Sequence, residues 1–68
     1  MKEDVFNTSI RKLRTEFGVT AQREIEKAVR RAVAEQRLKG TEKLSTKLTL
    51  SIPSVGLTHK VEGDVDLG

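Results

Sequence analysis

Phe6, Ile10, Leu13 and Phe17 recur at spacings of four, three and four residues, with polar side chains filling the gaps. At about 100° per residue these four lie in one narrow stripe, so residues 3–17 are expected to form an amphipathic helix. Glu3 and Asp4 fall in its first turn, where carboxylates favour the positive end of the helix dipole. Gly18 follows the last apolar residue and is placed as a left-handed C-cap, and Thr20 as the N-cap of a second helix over residues 20–39. Ala21, Ile25, Ala28, Val29, Ala32 and Val33 would form that helix's buried face, and Gly40 its stop. Glu26 with Arg30 and Glu35 with Lys39 stand four apart, in the favourable order for helix ion pairs. With only Gly18 and Val19 between them, the two helices are expected to fold back or cross steeply.

After Gly40 the period changes to two. Leu44, Thr46, Leu48, Leu50 and Ile52 alternate with Lys43, Ser45, Lys47, Thr49 and Ser51. Leu57, His59, Val61, Gly63, Val65 and Leu67 alternate in the same way with polar neighbours. Both runs predict half-buried strands, over 43–52 and 57–67, joined by a turn at Pro53-Ser54-Val55-Gly56. Charge selects the register. With Ile52 opposite Leu57, Leu50 faces His59, Leu48 faces Val61, Lys47 meets Glu62 and Lys43 meets Asp66, whereas a slip can set Lys47 against Lys60. The expected fold is therefore α+β: one domain over 1–68, two helices followed by an antiparallel hairpin whose apolar face they cover.

Composition makes that domain small and weakly supported. There are 68 residues, 35% of them hydrophobic, with two phenylalanines as the only aromatics and no cysteine. Neither a disulfide nor a thiolate zinc site can reinforce so small a core, which favours self-association. The open edges of a two-stranded sheet favour it too, so a homodimer is an expected partner state. No basic segment leads into an apolar run at the start, so a signal peptide is not expected, and no apolar run approaches the length of a membrane span. A cytoplasmic setting fits the absence of cysteine.

The net charge of +3 is unevenly spread. Residues 11–39 hold nine Lys or Arg against four Glu, while residues 53–68 hold one Lys against three acids. Within the expected second helix, Lys27, Arg30 and Arg37 fall within about 40° of Arg23, and Arg31 within about 80°. Arg23, Lys27, Arg30, Arg31 and Arg37 are thus the candidate contact residues for an anionic partner, nucleic acid in particular. The bland alternative is a solvated face that keeps a small protein soluble, and the neighbouring Glu24, Glu26 and Glu35 favour it. EFGVTAQREIEKAV looks like the turn and recognition helix of a bacterial repressor, but nothing in the chain supplies the third helix that motif needs. Stacking on single strands lacks a platform, since both phenylalanines belong to the apolar stripe.

Catalytic chemistry finds little to work with. His59, the only histidine, sits between apolar Leu57 and Val61 with no nucleophile or carboxylate on its face, so a histidine at the sheet's turn end, ring packed and one nitrogen wet, is expected ahead of a ligand or switch role. Glu62, Asp64 and Asp66 stand about 7 Å apart along one strand face, too splayed for calcium, and read as solvated. No phosphate loop, dinucleotide fingerprint, metalloprotease or nucleophile-elbow motif is present. No enzyme activity, catalytic residue, metal or cofactor is expected.

EDVFNTSIRK, GVTAQREIEKAV, LKGTEKL and GLTHKVEGD together resemble a family of bacterial proteins of about this length, known only as a domain of unknown function. The resemblance covers nearly the whole chain. It implies a stand-alone bacterial, cytosolic protein and carries over no activity, cofactor or site residue. A non-enzymatic binding or interaction module is the expected function, with weak electrostatic nucleic-acid binding as the alternative.

Overall fold

A computed structural model describes all 68 residues, and it corrects the helical half. There are not two N-terminal helices but one, α1, running unbroken from Glu3 to Ala34. At 1.5 Å per residue its 32 residues extend about 48 Å. It is followed by β1 (Lys43–Ile52), a single 3₁₀ turn (Pro53–Val55) and β2 (Leu57–Asp66). The fold is still α+β, but the turn at Gly18-Val19 does not exist. With it go the folded-back helix pair, the two-helix cover of the hairpin and any helix-turn-helix reading. The chain divides into two compact units, Met1–Arg37 and Leu38–Gly68.

Gly18 fails as a stop because a C-cap glycine must enter the left-handed region. The glycines with positive φ are Gly40 and Gly56, not Gly18. A glycine held in helical conformation costs about 1 kcal/mol relative to alanine, too little by itself to end a helix whose apolar face continues on both sides. The phase also carries across. Ala21 stands four residues after Phe17, and Ile25, Ala28 and Ala32 continue at spacings of four, three and four. Relative to Phe17, Phe6, Ile10 and Leu13 lie within about 40°, while Ala21, Ile25, Ala28, Val29 and Ala32 centre near about +65°. The apolar face therefore turns partway around the helix without interruption. Its two halves differ in exposure: Ala32 is buried and Ala21, Ile25 and Val29 are half-buried, whereas Phe6 to Phe17 are exposed.

The helix ends earlier than Gly40. Gln36 takes φ +62, with its N–H donating to the Val33 carbonyl at 3.0 Å and the Arg37 N–H donating to Ala32 at 2.8 Å. This pair of bonds is a Schellman ending with glutamine in the position glycine usually fills. Glu35 is the C-cap, so Arg37 and Lys39 lie outside the helix. Of the two expected helix ion pairs neither forms: Glu26 accepts from the Gln22 amide at 3.0 Å, and Glu35 pairs with Arg31 and Arg37.

In the second unit β1 and β2 pair antiparallel in the register charge selects. Ile52 faces Leu57, Leu50 faces His59, Leu48 faces Val61, Lys47 faces Glu62 and Lys43 faces Asp66. One pair of strands forms the whole sheet, so each strand keeps an open edge. The Leu67 N–H donates to the Glu42 carbonyl at 2.9 Å, closing the hairpin's open end.

Candidate contact surfaces

The basic residues do not make one free ridge. Arg23, Lys27, Arg30 and Arg31 lie on α1, but Arg37 is past its end and off the helical repeat. Lys27 Nζ lies 3.5 Å from Glu24, Arg31 Nε 3.3 Å from Glu35, and Arg37 Nη2 3.0 Å from the same Glu35 oxygen. Such exposed pairs contribute at most about 1 kcal/mol each, yet they neutralise the cations they engage. Arg23 and Arg30 have no carboxylate within salt-bridge distance. Seven residues apart, they stand about 10 Å from one another along the helix. Lys12, farther along the same side, is paired at 4.0 Å with Glu16.

The apolar stripe is the surface that sequence reasoning missed. A two-helix fold would place it in the interior, packed against a second helix, and that helix is absent. Phe6, Ile10, Leu13 and Phe17 are 45%, 47%, 40% and 51% exposed. The spacing announced the stripe but held no information about what would cover it. A smaller apolar pair crosses the hairpin, where Leu48 and Val61 face one another, both about half exposed.

Glu42 carries no mark in the sequence that would single it out. One carboxylate oxygen accepts the Lys39 N–H at 2.8 Å, the other the N–H groups of Gly40 and Thr41 at 2.9 and 3.0 Å. Gly40, at φ +96, bends the backbone so that three successive amides converge on one side chain. The bond from Lys39, and then those around Gly40 and Thr41, hold the Glu42 carboxyl below the usual glutamate range. A depressed carboxylate pKa stabilises the folded loop above the unfolded-state value, and the effect is lost as pH falls through the lower folded value. An NMR titration should therefore show the Lys39, Gly40 and Thr41 amides shifting together at a pH below the ordinary glutamate midpoint. Glu42→Gln should abolish that transition and speed exchange of the same three amides.

His59 sits opposite Leu50 and is exposed, so the packed ring expected of it is not seen. Glu62, Asp64 and Asp66 share one face of β2, and no group of three or more histidine or acidic side chains gathers as donors for a metal ion. No helix is long and apolar enough to cross a membrane.

These features define a small α+β protein in which one long amphipathic helix precedes a two-stranded hairpin. The chain belongs to the family of unknown function DUF6494, whose model matches residues 1–68. Neither a curated protein nor a solved structure matches it.

Proposed function

We propose that this protein is a non-enzymatic interaction module of the bacterial cytoplasm, which binds a protein partner through the first half of α1. The observation that carries the reading is the exposed stripe Phe6, Ile10, Leu13 and Phe17. Both aromatics of the chain lie in it. A contiguous apolar strip on a helix is the form in which amphipathic helices meet grooves or other helices. Polar neighbours such as Asn7, Ser9 and Glu16 rim the strip, as at protein interfaces.

The test is photo-crosslinking of the full chain with benzoylphenylalanine in place of Phe17, in lysate of the source cell. Adducts are expected from Phe17 and not from the same probe at Thr15, which lies on the far side of the helix. No adduct of any kind at Phe17 would sink the reading.

A second reading rests on Arg23 and Arg30, the two candidate cations without a carboxylate partner: weak, sequence-independent nucleic-acid binding. It ranks second because Lys27, Arg31 and Arg37 are already engaged by glutamates. Mobility shift on duplex DNA and RNA should then collapse between about 50 and about 200 mM salt. Loss of the shift on Arg23→Glu with Arg30→Glu would support it, and no shift at low salt would remove it.

A further inference from the structure

Building on that interaction reading, we propose that the occupant of the stripe is a second copy of this chain, bound antiparallel about a two-fold axis between Arg11 and Lys12. The spacing four, three, four reads the same in both directions. Reversing one copy therefore sets Phe6 of each chain level with Phe17 of the other, and Ile10 level with Leu13. The residue numbers in each pair sum to 23. All four exposed apolar side chains are then covered by their own counterparts, as an isologous interface requires. The aromatic pair at each end can stack, and the aliphatic pairs fill the middle.

The rim favours this direction. A perpendicular two-fold brings like flanks together. On one flank Asn7 and Arg14 of opposite copies come within two residues of level, so the guanidinium can donate to the Asn amide oxygen. On the other flank Ser9 and Glu16 do the same, so the hydroxyl can donate to the carboxylate. No like charges meet at these rim positions. A parallel, in-register pair sets Arg23, Lys27, Arg30 and Arg31 each level with its own copy, whereas the antiparallel pair brings Arg11 and Lys12, on the helix's outer side at the axis, near their own copies. In the antiparallel pair the helices overlap over residues 3–20, about 27 Å, and those basic segments lie beyond opposite ends of the contact. Antiparallel alignment also opposes the two helix dipoles. The half-buried face of Ala21, Ile25 and Val29 and buried Ala32 are not needed.

Two measurements on the full chain decide it. Sedimentation equilibrium up to several hundred micromolar should show a reversible monomer–dimer equilibrium. Phe17→Asp and Ile10→Ala should each weaken it by about tenfold or more, with helical circular dichroism confirming that both variants still fold. For direction, the absence of native cysteine allows clean spin labels at Lys2→Cys and Thr20→Cys. An antiparallel pair puts same-site labels about 26–28 Å apart along the axis, and brings Lys2 within one residue of level with Thr20 of the other copy. A short distance should appear only when the two labelled proteins are mixed. Short distances in each singly labelled sample would mean a parallel pair and overturn the proposal. So would a monomer at every concentration, or a dimer indifferent to both substitutions. If the chain is monomeric but Phe17 crosslinks another protein, self-pairing alone fails. If it is monomeric and Phe17 crosslinks nothing, the interaction reading fails with it.

Discussion

Replacing Gly18 with proline should destabilise the helical unit by about 3 kcal/mol, and replacing it with alanine should stabilise it by about 1 kcal/mol. Gly18 lies near the middle of α1, in helical conformation, and a Cβ there meets nothing within 4 Å. Alanine therefore fits without displacement and removes the conformational freedom that glycine loses on folding. Proline instead deletes a helical N–H donor and drives its ring into the carbonyl one turn back. A chain with a turn at this point gives the reverse result. There proline soon after a helix end is tolerated, and alanine in a left-handed cap is strained. The two substitutions thus separate one helix from two by sign as well as size. Helical ellipticity and thermal midpoint report the outcome, and a Gly18→Pro protein with undiminished ellipticity would reject the continuous helix. The self-pairing interface spans this position closely enough that Gly18→Pro should also weaken the dimer.

The same glycine explains where the sequence misled. Phe17-Gly18-Val19-Thr20 carries the local marks of a stop and a restart, and each residue taken singly supports a turn. What overrides them is cooperative: the apolar spacing stays in helical phase from Phe17 to Ala21 and Ile25. A helix already propagating gives up little to include one glycine. Phase continuity was visible in the sequence and was the better guide. The actual stop at Gln36 was not visible, because a glutamine in the left-handed region is held by the Schellman bonds around it and by no preference of its own. The hairpin was legible for the opposite reason. Its alternation of period two admits only registers that keep the apolar face together, and the opposed pairs Lys47–Glu62 and Lys43–Asp66 select one of them. For the contact surface, amphipathicity was legible and exposure was not. A stripe on a helix looks the same whether a neighbour within the chain or another molecule covers it. Glu42 had no signature at all, since its partners are backbone amides brought together by the turn at Gly40.

Gly56→Val should destabilise the hairpin by about 1–2 kcal/mol. Gly56 follows the 3₁₀ turn with φ 65 and ψ 25, and its N–H donates to the Pro53 carbonyl at 3.0 Å. No atom lies within 4 Å of where a Cβ would stand, so crowding by neighbours contributes nothing. The whole penalty is backbone strain, greatest for a β-branched side chain and smallest for asparagine. A two-stranded sheet is marginal by itself, so a loss of this size is a large share of what holds the strands in register. Amide exchange at Leu50, Ile52, Leu57 and His59 should accelerate in the order Gly, Asn, Ala, Val at position 56. Equal effects of Asn and Val would show that the left-handed geometry is not what the turn depends on. The α1 amides from Phe6 to Phe17 should be unaffected by every member of the series. That contrast makes the hairpin variants a control for the helix-borne interface: dimerisation should survive Gly56→Val and fail in Phe17→Asp.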